Sequence, residues 1–455
     1  MTVYIIGIKG VGTTALAQLY QALGHTVRGS DVPETFFTDD VLQKAGVRVY
    51  ESFKAEHITS DIDMVVVSAA FLIQENHVEL HAAREQGLTI YSYSEALGKL
   101  AEPFEGIGVT GTHGKSTTTA LLGVVLVMLE VDPFVVVGSS VAQLGGNARA
   151  GQPDSRFFVA ELDEYRYHFL DFSPDHTILT TLDYDHPDVF PDSQTYRDAF
   201  HSYLDKLPEG GLLVANISNE GVRSLLEERP NTDHFHIVTY GCSAGADIFY
   251  DPETRMVKSA EQAFGELELQ LQGMHNAVNA TGVFALLWHL GYDPNRVLRA
   301  LKRFHGLKRR QEFRGRSRSG ATVIDDYAHH PAEIRAVYEA LKASHPDHTV
   351  WLVFQPHTYS RTKALKDELA VSLSLFDHVL LAPIYASARE EAGTVHIHDL
   401  QTAIEAAGED TKVRAFEDKD PIEEFLRSNT GPDDIIVTMG AGDINLLAEH
   451  LVHDT

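Results

Sequence analysis

The stretch Gly108-Val109-Thr110-Gly111-Thr112-His113-Gly114-Lys115-Ser116 constrains the fold more than any other part of this chain. A short apolar run, Gly106-Ile107-Gly108-Val109, leads into it, and a helical apolar pattern through Leu121, Leu122, Val125 and Leu129 follows. A strand, a glycine turn and a helix N-terminus in that order make an anion site. The backbone N–H groups point inward at phosphate oxygens, and the helix dipole favours negative charge there. In such a loop Lys115 reaches the β- and γ-phosphates of a nucleotide, and the Ser116 hydroxyl faces Mg²⁺. The full pattern asks for glycine at position 109, where valine stands; Gly108 lies one place off and Gly111 is additional. A solvated lysine in an ordinary strand-to-helix turn is the competing reading.

A phosphate loop belongs to a parallel sheet, and the chain before it already alternates strand and helix. Tyr4-Ile5-Ile6, Thr26-Val27-Arg28, Met64 to Val67 and Thr89-Ile90-Tyr91 read as buried strands, with helices over Thr13 to Leu23 and His77 to Gln86. That alternation predicts a parallel sheet wrapped by helices. Its first turn is Gly7-Ile8-Lys9-Gly10-Val11-Gly12, and Asp31 closes the second strand. Lys9 replaces the middle glycine of a dinucleotide fingerprint, so its charge favours a diphosphate of uridine-nucleotide type over NAD. Asp31 then either meets a ribose or base, or simply ends the strand.

At 455 residues the chain exceeds one ordinary core, and roughly two to four domains are expected. Ala101-Glu102-Pro103-Phe104-Glu105 breaks the first pattern, giving an expected first domain at 1–103, a second at 104–314 and a third at 315–455. The net charge of −28 argues against an electrostatic grip on nucleic acid or an anionic membrane. The single cysteine, Cys242, leaves no intrachain disulfide or cysteine cage and suggests a reducing compartment. Neither a cleavable leader nor a membrane-length apolar run is legible, so a cytoplasmic protein is expected.

In the second domain, acidic groups emerge at strand ends, where parallel sheets collect ligands. Glu161-Leu162-Asp163-Glu164-Tyr165 follows one strand and Asp183-Tyr184-Asp185-His186-Pro187-Asp188 another. Glu161 and His186 are candidate Mg²⁺ ligands; the other reading of the second run is a solvated acidic turn. Asp247-Ile248 and the alternation Phe264 to Leu269 predict antiparallel strands before a helix starting near Met274. On that helix Asn276 and Asn279 share a face and can read an adenine edge, or else lie on polar surface. Arg309 and Arg310 face a phosphate cleft or form a basic turn. The alternation resumes from about 315, and polar clusters end its strands: Asp325-Asp326-Tyr327-Ala328-His329-His330, Gln355-Pro356-His357-Thr358-Tyr359-Ser360-Arg361-Thr362, Ser387-Ala388-Arg389-Glu390 and Gly440-Ala441-Gly442-Asp443.

With these residues in order, the chain resembles the Mur ligases, ATP-dependent ligases of peptidoglycan precursors, from Gly7 to Asp443. Gly111-Thr112-His113-Gly114-Lys115-Ser116-Thr117 is similar to the family's G-T-x-G-K-[ST]-T, and His275-Asn276-x-x-Asn279 to its adenine-contacting H-N-x-x-N. Asp325 to Pro331, Phe354 to His357, Tyr359 to Thr362 and Ile384-Tyr385-Ala386 are similar to the branch that joins L-alanine to UDP-N-acetylmuramate. The resemblance implies an α/β protein of three domains: a Rossmann-like N-terminal domain, a central P-loop ATPase-type domain and a C-terminal Rossmann-like domain.

The resemblance also implies roles. Gly111, Thr112, Gly114, Lys115, Ser116 and Thr117 hold ATP, with Asn276, Asn279, Arg310 and Asp326; Ser116, Glu161 and His186 hold Mg²⁺. Gly7, Gly10, Gly12, Asp31 and Ser68 form the UDP-sugar site, and Tyr327, Thr358 and Arg361 the amino-acid site. Lys115, His186, His329 and Arg361 are the expected catalytic set. Departures from the family's pattern stand at Lys9, Thr13, Leu162 and Thr358, where glycine, methionine, alanine and arginine are common. The implied reaction passes the γ-phosphoryl of ATP to the sugar's lactyl carboxylate, giving an acyl phosphate that the amine attacks. Three closing domains would exclude water meanwhile. A ligase that returns recycled peptide to UDP-N-acetylmuramate remains open, favoured by Asp185-His186-Pro187-Asp188-Val189-Phe190. So does a nucleotide-binding protein without ligase activity. Folylpolyglutamate synthase predicts no Rossmann-like domain before the phosphate loop, and Lys9 weighs against a dinucleotide oxidoreductase.

Overall fold

The computed structural model describes all residues except 37, 73, 75, 230–233, 387–392, 394, 409, 454 and 455. The expected polar cluster at 387–390 therefore lies outside the described residues. Three sheets carry the chain. The first has strands β1 (Thr2–Ile6), β2 (Thr26–Ser30), β3 (Arg48–Tyr50), β4 (Met64–Val67) and β5 (Thr89–Ser92) in the order 3-2-1-4-5. Every pairing is parallel. The order reverses between β1 and β4, so the crevice beyond their carboxyl ends is the place for a ligand. Val3 to Ile6 and Val65 to Val67 are wholly buried, as strands covered on both faces must be.

The second sheet comprises β6 (Glu105–Thr110), β7 (Phe134–Val141), β8 (Gly146–Arg149), β9 (Phe157–Glu161), β10 (His176–Leu179), β11 (Leu212–Asn216), β12 (His236–Gly241), β13 (Ile248–Asp251), β14 (Met256–Lys258) and β15 (Ala263–Glu266). Its order is 15-14-13-12-11-10-6-9-7-8, with β13–β14, β14–β15 and β7–β8 antiparallel. β6 is flanked by β10 and β9 in parallel, so whatever follows those three strands converges at one edge. Gly108 lies inside β6, in the apolar run that leads into the loop, and a side chain there would meet the Tyr203 hydroxyl at 2.3 Å and Leu162 at 2.7 Å. Val109 is likewise a buried strand residue, and the turn begins at Gly111.

The third sheet runs β16 (Glu312–Arg316), β17 (Thr322–Asp326), β21 (Asp434–Met439), β18 (Thr349–Phe354), β19 (His378–Leu381) and β20 (Lys412–Ala415), parallel except for β16. One face packs Ile334, Val337 and Leu341 of the helix Pro331–Ser344 against Leu352, Phe354 and Val437, and the other gathers Val323, Val353, Ile436 and Leu447. By contact the chain forms two compact units: Met1–Tyr184, Ser193–Glu268 and Val278–Phe304 make one, and Asp185–Asp192, Leu269–Ala277 and His305–Thr455 the other. Among the described residues no helix is long and apolar enough to cross a membrane.

Candidate active site

In the first unit the turn after β6 is held by strand β10's continuation. Thr112 N–H donates to the Thr181 carbonyl (2.9 Å) and His113 N–H to the Thr181 hydroxyl (2.8 Å). The Thr180 hydroxyl donates back to the His113 carbonyl at 2.6 Å. Gly111 takes φ +127° and Gly114 φ +81°, conformations that L side chains resist. Gly114 caps the helix Lys115–Met128, whose N-terminus has no side-chain cap and no acidic residue in its first turn. Its first amides are thus left for an anion. The amide of Asn279 packs against Gly114, about where a side chain on that residue would sit. Asn276, one turn earlier on the helix Met274–His289, donates to the Gln272 carbonyl at 2.7 Å. Both asparagines are buried, so neither belongs to an open polar surface.

Lys115 folds back over its own loop. Its ammonium donates to Gly111 O (2.6 Å), Thr112 O (3.2 Å) and the Glu164 carboxylate (2.8 Å), with Asp163 at 3.9 Å. Burial works against that charge, yet Glu164, Asp163 and Glu161 outweigh it and hold the ammonium above its usual range. Glu164 is fully buried and also accepts from the Tyr196 hydroxyl at 3.0 Å. Tyr196 in turn meets the Thr112 hydroxyl, which donates to the Asp183 carbonyl. Two of the three expected metal ligands are brought together: Ser116 Oγ donates to Glu161 Oε1 at 2.8 Å, and Gly138 N–H to Oε2 at 2.6 Å. Thr117 is buried in the same first turn.

At the crevice of the first sheet, Gly7 (φ +79°) and Ser68 meet. A side chain on Gly7 would stand 2.3 Å from Ser68 Oγ. Gly10 caps the helix Val11–Ala22 without a side-chain bond, and Gly12 lies against the Tyr93 ring. Asp31 spends one oxygen on Lys9 N–H (2.7 Å) and the other on Val32 N–H (2.8 Å), fastening the turn to the strand end. The Lys9 ammonium faces away from a diphosphate role: it is buried against Asp39 (3.1 Å), Glu51 (3.3 Å) and the Glu34 carbonyl. The expectation that its charge holds a pyrophosphate gives way, because those carboxylates already neutralise it.

The second unit gathers the remaining residues. Asp326 accepts from Gln311 N–H (2.8 Å) and Ala328 N–H (2.7 Å), and burial, partly offset by Arg310, pushes its carboxyl up to about 6. The guanidinium groups of Arg309 and Arg310 lie 5.0 and 5.2 Å from the Tyr327 ring centroid. His329 Nδ1 lies 3.1 Å from the Tyr327 carbonyl, and burial drives its imidazole down to about 3, leaving it neutral. Arg361 Nη2 donates to both oxygens of Asp185, at 3.0 and 3.2 Å. Burial disfavours the Asp185 charge, but the Arg361 guanidinium, the largest opposing influence, holds its carboxyl well below the usual range. His186 follows at φ +57°, its N–H donating to Asp185 Oδ1 at 2.7 Å. The Thr358 hydroxyl accepts from Arg361 N–H (3.4 Å) and so caps the helix Tyr359–Ala364 that carries the arginine. Sequence reasoning gave Glu164 and Asp185 no role; the only signal was their place in acidic runs after strands.

Three family models match in chain order: the Mur ligase family catalytic domain over residues 2–105, the Mur ligase middle domain over 109–287, and the Mur ligase glutamate ligase domain over 309–442. The chain belongs to the Mur ligase family. It is 40% identical over 99% of both chains to the UDP-N-acetylmuramate–L-alanine ligase of Desulfitobacterium hafniense. The crystal structure of UDP-N-acetylmuramate-alanine ligase from Thermotoga maritima superposes with a TM-score of 0.79 at 27% identity, covering 100% of this chain and 99% of that one. A murein peptide ligase from Psychrobacter arcticus shares the fold at a TM-score of 0.69 and 24% identity, over 99% and 98% of the two chains. The three-domain α/β fold of this Mur ligase is thereby established.

Proposed function

We infer that this Mur ligase joins L-alanine to the lactyl carboxylate of UDP-N-acetylmuramate, with ATP as co-substrate, in peptidoglycan precursor synthesis. Full-length identity to a ligase of that name carries the reading. A carboxylate is a poor electrophile, so the γ-phosphoryl of ATP first converts it to an acyl phosphate. The amine of L-alanine attacks, a tetrahedral intermediate forms, and phosphate leaves an amide. Such phosphoryl transfer depends on positioning and charge stabilisation. Lys115 supplies the charge, exchanging Glu164 for phosphate oxygens when ATP binds, and the uncapped helix N-terminus supplies oriented amides. Arg310, Asp326, Asn276 and Asn279 are assigned to the nucleotide, Gly7, Gly10, Gly12 and Ser68 to the UDP-sugar, and Tyr327, His329 and Arg361 to the amino acid. We assign the three substrates to 1–103, 104–314 and 315–455 in the order UDP-sugar, ATP, amino acid.

The Ser116 hydroxyl and the Glu161 carboxylate, hard oxygen donors in contact at 2.8 Å, suit Mg²⁺. When bound, the ion supplies positive charge against the phosphate oxygens. Steady-state phosphate release with ATP, Mg²⁺, UDP-N-acetylmuramate and a panel of amines tests the whole reading. L-alanine should give the highest kcat/KM, with L-serine and glycine behind it. Preference for a tripeptide would assign the chain to the peptide-recycling reaction, and ATP binding without phosphate release would make it a non-catalytic binder.

A further inference from the structure

Arg361 and Asp185 form a buried ion pair that leaves each group half used. Both side chains are about nine-tenths buried. Among the described residues the hydrogen bonds of the guanidinium are the two to Asp185, both through Nη2. A guanidinium carries five N–H donors, so Nη1 and Nε remain for a second carboxylate. Asp185 is itself fixed, since Oδ1 accepts from His186 N–H at 2.7 Å, while among the described residues Oδ2 bears only the longer arginine bond and an imidazole contact at 3.8 Å. An anion and a cation held side by side in a fixed orientation match one class of small molecule closely: an α-amino acid zwitterion, whose carboxylate and ammonium present the opposite order of charge. Truncating either protein group would leave the other buried and unpaired, which is costly, so the pair is built to be kept together.

We propose that Asp185 and Arg361 act as a zwitterion clamp, Arg361 taking the carboxylate of the incoming amino acid and Asp185 its ammonium. This rests on the reading that the chain consumes L-alanine, and adds Asp185 as a specificity-determining residue. The same contact admits an opposite role, in which Asp185 occupies Arg361 and competes with the substrate carboxylate; the two predict opposite signs. The test is phosphate release by the full chain at saturating ATP and UDP-N-acetylmuramate, titrated with L-alanine and with L-alaninamide, which keeps the ammonium but lacks the carboxylate. D185N should raise the KM for both amines by about tenfold, the worth of one charged hydrogen bond. R361A should raise the KM for L-alanine steeply and that for L-alaninamide little. D185E, which keeps the charge, should stay within about threefold of the wild-type KM; it keeps the test informative where D185N does not fold. A lowered or unmoved KM for L-alanine in D185N, or loss of affinity in D185E equal to that in D185N, overturns the clamp. Equal effects of R361A on both amines overturn the carboxylate assignment. Wild-type protein that releases no phosphate with L-alanine overturns instead the function on which the clamp rests.

Discussion

The Lys115–Glu164 pair shows how one buried contact ties binding to stability. Glu164 is fully buried, pairs with the Lys115 ammonium at 2.8 Å and accepts from the Tyr196 hydroxyl at 3.0 Å. Lys115→Ala removes a charge aimed at the transferring phosphoryl group, a loss on the order of 3 kcal/mol or about a hundredfold in kcat. It also removes a cationic partner of a buried carboxylate, which costs up to about 3–5 kcal/mol of folding stability. Adding Glu164→Gln should restore most of the melting temperature while leaving turnover lost. Thermal melts and ADP release on the two variants separate these effects; a single variant as stable as the wild type would show that Glu164 finds another partner. UDP-N-acetylmuramate binding should survive both changes, because Gly7 and Ser68 belong to a different sheet. At the proposed Mg²⁺ ligands, Glu161→Gln should shift the Mg²⁺ titration of activity to higher concentration. An unchanged titration would return Glu161 to a purely structural partner of Ser116 and Gly138. The lysine was legible from its loop, whereas Glu164 was not: its role depends on burial, and one more acid in an acidic run carries no sequence signal of being buried.

At the scale of elements, the phosphate loop is a turn clamped between β6 and the end of β10. Gly111 has φ +127°, and a side chain there would stand 2.4 Å from Thr180 Oγ1 and 2.6 Å from the Thr181 carbonyl. Gly111→Ala therefore meets both a disfavoured conformation and a collision with backbone, costing about 1–3 kcal/mol, and should weaken ATP binding as well. Denaturant midpoints and ATP titrations check this, and a midpoint within error of the wild type would show that the loop relaxes freely. The buried parallel strands were legible because continuous runs such as Met64 to Val67, Phe157 to Ala160 and Val350 to Phe354 have few other fates. Several edge strands were not. Glu312-Phe313-Arg314-Gly315-Arg316 forms β16 with Phe313 well exposed and no apolar alternation to announce it. β3 and β20 are short and half-buried for the same reason. Gly108 was legible within the run leading into the loop, whereas the room its missing side chain makes for Tyr203 and Leu162 was not.

For the whole molecule, the two compact units carry different titratable and ligand-binding groups, so heat, acid and ligands should act on them separately. In the second unit, burial and then Arg310 lower the His275 imidazole to about 4, and burial lowers His329 to about 3. Above about 6.5 these histidines are neutral in both folded and unfolded chains and cost nothing. As pH falls from there toward 4 and 3, the unfolded chain takes up protons that the folded chain refuses, and stability is lost, by at most about 1.4 kcal/mol per pH unit for each group. Asp326 runs the other way: its raised carboxyl stabilises the fold below the ordinary carboxylate range, and that contribution disappears as pH rises toward about 6. Burial also lowers His378 and raises Asp325, so three histidines against two aspartates leave a net loss on acidification below about 6. Calorimetry should accordingly resolve two transitions, since each unit has its own core. The one that falls further on moving from pH 7 to pH 5 should be the second unit, since the first holds only His25 and His77 among its lowered histidines, and His275→Gln should blunt that fall. Saturating UDP-N-acetylmuramate, which we assign to the Gly7–Ser68 crevice, should raise the other transition, by about 2.7 kcal/mol of stabilisation at a hundredfold excess over Kd. If one transition answers to both acid and UDP-sugar, the chain unfolds as a single cooperative body and the assignment of acid sensitivity to the second unit fails.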